Sequence, residues 1–395
     1  LGNPSVPAEP PSFTQYPEVI VRYLSAGGPP TILEATLRGW GALTEYGGLV
    51  RADRDFTGDG VPEVLIVLLD PQHKEVTPQP GDLYVFGCEE GAYRLLYQEG
   101  YAVDRGTPVI ISADDINGNY LNDLVYTVET CGATACYRTV RIMQWSLTLG
   151  NFIDLTAEEI IEPFPEIVVS DIDEDGLFEV TVTSGAIAAE DAGPQRPVTT
   201  IWQWDGVLYN VAQIITAPAE YRIHVIHDGD SALESGNLDE ALEFYRQAIA
   251  DERLLSWKLP NEWLYLRAYA MYRSMLANVL RNNLAAAQET HDALQVEFAP
   301  TPSPPPEGEP PPESRPSPTP IGLGAFRPGE IYARMAEVFW LDFAVNRDMV
   351  AACQLTLAYV QTHPEAVEIL NSFGYANRRY TAEDMCPFLG LPSAP

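Results

Sequence analysis

Positive charge is scarce in this chain. Its 395 residues hold 23 Lys and Arg against 56 Asp and Glu, and the lysines are Lys74 and Lys258 alone. The formal net charge of −33 excludes nucleic acid and anionic membrane surfaces as partners, because like charge repels at long range. It attracts cations instead. No apolar run approaches the roughly 18 residues that a bilayer-crossing helix requires, so no transmembrane segment is expected. His-Glu-x-x-His, Gly-x-Ser-x-Gly and Gly-x-x-x-x-Gly-Lys are also absent. The stretch Gly322 to Arg327 stops short of a dinucleotide fingerprint and follows no strand. These absences leave no catalytic or organic-cofactor residues to name, and the chain is expected not to be an enzyme.

Cysteine is sparse as well: Cys88, Cys131, Cys136, Cys353 and Cys386. No Cys-x-x-Cys spacing marks a zinc site. Cys131 and Cys136 are close enough to bridge across a turn, and Cys353 and Cys386 can form a second bridge, with Cys88 left over. Disulfides fit an oxidising, extracellular compartment. The Pro-rich opening, Leu1 to Ser12, has the composition of a tether behind a removed export signal. An extracellular or cell-surface location, tethered through the N-terminus, is expected.

Composition then divides the chain. Residues 1–18 read as tether, and 19–47 hold one helix over 31–46, with Leu33, Leu37 and Trp40 at helical spacing. Residues 48–217 read as β, with Val/Ile/Tyr runs broken by Gly, Pro, Asp and Asn. From 218 to 299 the pattern is helical. A Pro-rich insert over 300–320, with eleven prolines in 21 residues, cannot build a core. Residues 321–395 return to helical patterning.

The β region repeats. Acidic loops begin at Asp55, Asp115 and Asp171, which are 60 and 56 residues apart (115 − 55 and 171 − 115). Each runs into an apolar strand, over 64–69, 124–128 and 180–183. Strand pairs follow, at 83–86 with 93–97, 141–145 with 152–155, and 200–204 with 208–212. The loops place oxygen-bearing side chains at positions 1, 3, 5 and 9. These are Asp55, Thr57, Asp59 and Glu63, then Asp115, Asn117, Asn119 and Asp123, then Asp171, Asp173, Asp175 and Glu179. Alternate side chains of a curled loop converge on one point, and calcium takes six to eight oxygens. The position-7 carbonyls of Val61, Leu121 and Leu177 can supply another. An EF-hand would need Glu at position 12, where this chain has Ile66, Tyr126 and Val182, and a helix rather than a strand afterwards.

Three such loops, each leading into a strand, resemble the FG-GAP/VCBS family of calcium-loop propeller repeats over about 48–217. The resemblance implies a propeller-like array of three antiparallel blade-like units, with Ca2+ held by the residues just named. Propellers of this kind close with more blades than three, so the array is open or copies associate. Tyr120 stands where the other loops have Gly60 and Gly176, which makes the second site strained, and Asn117 and Asn119 lower its charge. Thr57 makes the first site less acidic than the third.

In the helical half, Gly229, Gly236, Ala241, Tyr245 and Ala248 match the small and aromatic positions of a tetratricopeptide repeat. Further helical pairs are expected over 263–279 with 284–296 and 330–345 with 348–362. The TPR-like resemblance covers about 222–363 and implies a surface for protein or peptide partners. Trp263, Tyr265, Tyr269 and Tyr272 read as core by their helical spacing. His224, His227, Asp228 and Asp230 are ligand-type side chains on the first of these helices and are not read as a site. Taken together, the sequence points to a secreted or cell-surface, non-enzymatic, calcium-stabilised scaffold or protein-binding protein. Two alternatives stand beside it, a self-assembling subunit of an extracellular filament or layer, and a carbohydrate-binding or carbohydrate-acting surface protein.

Overall fold

The structure is a computed structural model that describes residues 4–45, 47–133, 135–299 and 326–390. The Pro-rich insert at 300–320 lies outside the described residues. The chain divides into two compact units, Leu1–Ala188 with Pro197–Ala217, and Ala189–Arg196 with Pro218–Pro395.

The first unit begins with two helices, α1 (Tyr16–Ser25) and α2 (Pro30–Gly39), where the sequence predicts a tether to residue 18 and a single helix over 31–46. Gly27, at φ 83°, closes α1, and Pro30 fits the first turn of α2, where no amide hydrogen is needed. Apolar contact overrides the tether composition: Phe13 and Tyr16 are buried.

Three antiparallel sheets follow, and they do not close on one another. The first runs in chain order through β1 (Leu49–Arg54), β2 (Glu63–Leu69), β3 (Gly81–Glu89) and β4 (Ala92–Gln98). The second holds β5 (Val109–Ser112), β6 (Asp123–Cys131), β7 (Cys136–Ser146) and β8 (Asn151–Asp154), with β9 (Ile160–Pro163) also paired to β7. The third holds β10 (Glu166–Ser170), β11 (Glu179–Thr183), β12 (Val198–Trp204) and β13 (Tyr209–Thr216).

Alternation explains how the layers stack. On β2, Val64, Ile66 and Leu68 pack with α1 and α2, whereas Leu65 and Val67 face the second sheet at Leu124, Tyr126 and Val128. Both faces of β2 are covered, so its sequence is a continuous apolar run rather than an alternating one. The second sheet likewise turns Val125, Val140 and Ile142 toward Val180, Val182 and Trp202 of the third.

The second unit is helical: α3 (Arg222–Glu234), α4 (Leu238–Ala250), α5 (Glu262–Leu280), α6 (Leu284–Phe298), α7 (Glu330–Asn346), α8 (Met349–Thr362) and α9 (Glu365–Asn371). From α3 to α8 each helix packs on the next. Gly229 on α3 lies against Tyr245 of α4, where even a methyl group would collide with the ring. Tyr265, Tyr269 and Tyr272 are core as their spacing predicts, but Trp263 is 47% exposed. Cys131–Cys136 and Cys353–Cys386 are paired at disulfide distance, and Cys88 is free. No described helix is long and apolar enough to cross a membrane.

Candidate metal centre

The three acidic loops share one geometry. Each joins the first and second strands of its sheet, and the position-9 acid opens the second strand. In all three loops the position-9 carboxylate accepts the position-2 amide: Phe56 to Glu63 at 2.6 Å, Ile116 to Asp123 at 2.9 Å and Ile172 to Glu179 at 2.8 Å. The position-5 side chain accepts the position-7 amide, at 2.8 Å for Asp59, 2.9 Å for Asn119 and 2.8 Å for Asp175. The position-1 aspartate gathers the inner amides. Asp55 accepts Gly58 and Gly60, Asp115 accepts Gly118, Asn119 and Tyr120, and Asp171 accepts Asp175 and Gly176.

Position 6 takes a positive φ in each loop, 84° at Gly60, 70° at Tyr120 and 90° at Gly176. Tyr120 therefore accepts the left-handed strain that glycine avoids. Its ring escapes contact and is 95% exposed.

Position 3 separates the loops chemically. The Thr57 hydroxyl donates to Glu63 at 2.9 Å, and the Asn117 amide approaches Asp123 at 3.5 Å. Asp173 has no proton to give. Glu179 is 3% exposed, yet its Oε1 accepts no hydrogen bond from any described residue. The Oδ1 of buried Asn117 is in the same condition. A buried acceptor without a donor costs roughly 1–3 kcal/mol, so both atoms can take a hydrogen-bond donor or a cation.

Ligand atoms of Asp171, Asp173 and Glu179 lie within 4.8 Å of one another, as do those of Asp55, Asp59 and Glu63. Thr57, Asn117 and Asn119 sit at their expected loop positions. Asp175 is turned to the Leu177 amide and stands outside the third carboxylate cluster. The third group of ligand-type residues, Glu129 with Cys131 and Cys136, offers no thiolate because the two sulfurs are paired. Burial pushes the Asp123 carboxyl up to about 7, against the Ile116 amide and Gln144, and raises Glu63 against the Phe56 and Thr57 amides.

Three side chains that sequence reasoning missed support these loops. Gln144 donates to Asp123 at 2.6 Å from the facing position on β7. Asn122 donates to the Asp55 carbonyl at 2.8 Å. The Tyr209 hydroxyl lies 3.2 Å from both the Ile116 and Phe178 carbonyls. Asn122 occupies loop position 8 and was open to notice, whereas Gln144 and Tyr209 are distant in sequence and only strand register brings them in.

His224, His227, Asp228 and Asp230 do not converge on a common ligand. Asp228 pairs with Arg196, and Asp230 is consumed by Arg273, Tyr245, Tyr269 and Tyr380. The polar cavity of about 510 Å³ beside Tyr97, Glu99, Arg105, Arg141 and Asp154 is satisfied from within, by the Arg105–Glu99 and Arg141–Asp154 ion pairs. Against known proteins, the chain matches no family model, no curated protein and no solved structure.

Proposed function

We propose that this chain is a secreted or cell-surface, non-enzymatic scaffold or protein-binding protein whose β-rich unit is held together by Ca2+ in its acidic loops. The observation that carries the cation is the third loop, where the carboxylates of Asp171, Asp173 and Glu179 converge and the buried Glu179 Oε1 has no donor. Like charges gathered within a few ångströms repel, and a hard dication that takes oxygen ligands removes the repulsion. Asp171, Asp173 and Glu179 would hold the ion, and the Leu177 carbonyl completes the proposed set. The first loop offers Asp55, Thr57, Asp59, Val61 and Glu63, and the second Asp115, Asn117, Asn119, Leu121 and Asp123.

FG-GAP-like blades are supported by three successive sheets, each with its acidic loop between the first two strands. TPR-like pairing is supported by the succession from α3 to α8 and by Gly229 against Tyr245. That resemblance implies a protein-binding surface on the helical unit, and the two disulfide pairs support the proposed extracellular location.

The deciding measurement is a thermal melt of the whole chain in EDTA and in calcium at fixed ionic strength. Calcium at a hundredfold excess over Kd should add about 2.7 kcal/mol, roughly 5–10 °C for a unit of this size. Superimposable melts would reject the cation.

A further inference from the structure

We infer that the three loops bind cations as a coupled series, with loop 3 organising loop 2 and loop 2 organising loop 1. The inference rests on the calcium reading and adds how the sites communicate. Loops 2 and 3 are each seated on the loop before them through positions 7 and 8.

At position 7, the Leu121 side chain lies over Gly58 and Leu177 lies over Gly118. A Cβ on those glycines would come within 2.7 Å and 2.9 Å of the leucine Cδ2. At position 8, the Asn122 side chain donates to the Asp55 carbonyl, and the Phe178 amide donates to the Ile116 carbonyl at 2.8 Å. Tyr209 then ties the Ile116 and Phe178 carbonyls together.

This seating matters because position 7 has two duties. Its carbonyl is the proposed ligand within its own loop, and its side chain fixes the glycine at position 4 of the preceding loop. A cation that holds the Leu177 carbonyl also holds Leu177 on Gly118. Gly118 in turn donates to Asp115, the first proposed ligand of loop 2. Loop 2 gains most from this help. It has two carboxylates, a strained Tyr120 and the buried, donorless Asn117 Oδ1. The two orphaned oxygens, Glu179 Oε1 and Asn117 Oδ1, thus sit in the two loops that the Leu177–Gly118 contact joins.

The series has a definite end. Position 4 of loop 3 is Glu174, at φ 62°, where the other loops have glycine. A residue with a side chain replaces the glycine on which the position-7 leucines of loops 2 and 3 rest.

The test is isothermal calcium titration of the whole chain at fixed ionic strength, with Leu177→Ala, Asn122→Ala and Asp171→Asn. Leu177→Ala retains every proposed oxygen ligand and removes the apolar part of the seat, leaving the Phe178–Ile116 hydrogen bond. The wild type should titrate with a Hill coefficient above one. Leu177→Ala should bind the same number of ions with that coefficient lowered but still above one, because Leu121 and Asn122 continue to join loops 2 and 1, and with loop 2 about 5- to 10-fold weaker, a coupling of ordinary size. Asn122→Ala, which leaves the apolar seat intact, should weaken the first loop in the same way. Asp171→Asn should lose one ion and weaken another. Independent sites in the wild type, with Asp171→Asn removing one ion and leaving the rest unchanged, would overturn the coupling while leaving the calcium reading intact. No calcium uptake at all would overturn both.

Discussion

A single proton distinguishes the third loop from its neighbours. Thr57 and Asn117 can each donate toward the position-9 acid, and Asp173 cannot. Replacing Asp173 by Asn should therefore have effects of opposite sign in two conditions. In EDTA, the amide gives Glu179 a donor and removes a like charge, and stability should rise by about 1 kcal/mol. In calcium, a charged ligand is lost, and the calcium-dependent rise in melting temperature should shrink. A variant less stable in both conditions would show that Asp173 acts only by packing. The position-1, 3, 5 and 9 pattern was legible in the sequence because loop positions are fixed by chain spacing. Which oxygen lacks a donor was not, since it depends on how position 3 meets position 9 in space.

Among the elements, the helices of the second unit are tied by one fully buried carboxylate. Asp230 on α3 receives Tyr245 from α4 at 2.6 Å, Tyr269 at 3.0 Å and Arg273 at 2.8 Å from α5, and Tyr380 at 2.8 Å from beyond α9. Asp230 and Arg273 are both completely inaccessible to solvent. Asp230→Ala should cost about 3–5 kcal/mol in chemical denaturation, because it strands a buried guanidinium and three hydroxyls. The helix pairs themselves were readable from periodicity. This clamp was not, since its members are up to 150 residues apart, and the contribution of Ala189–Arg196 to the helical unit was equally hidden. The first turn of α5 adds a pH effect. Burial pushes Glu262 up to about 7 from 4.5, outweighing the Trp257 amide and Arg222. A raised carboxyl keeps its stabilising contribution below the unfolded value and loses it as pH climbs through the folded one. Stability should therefore fall between about pH 4.5 and 7. Glu262→Gln should flatten that decline, which melting curves at pH 5 and pH 8 would reveal as a gap that widens toward high pH.

At the scale of the whole molecule, a net charge of −33 makes two kinds of cation stabilisation easy to confuse. Any salt screens self-repulsion, and at 0.15 M the screening length is already near 8 Å. A coordinated dication does something else, since it neutralises carboxylates that are only a few ångströms apart and one of which is buried. Screening grows smoothly with ionic strength and is indifferent to which monovalent ion supplies it. Coordination saturates, and it discriminates by size and ligand number. Magnesium demands near-octahedral geometry and gives up its water reluctantly, whereas calcium accepts irregular oxygen sets. Raising NaCl from about 10 to 150 mM should thus lift the melting temperature gradually as screening sets in. At 150 mM NaCl, calcium should lift it further at concentrations too low to alter ionic strength, and magnesium should do so far less. The Asp171→Asn variant should keep the sodium response and lose most of the third loop's share of the calcium response. Equal effects of calcium and magnesium, unchanged by Asp171→Asn, would mean that the loops carry their carboxylates as surface charge and bind no ion.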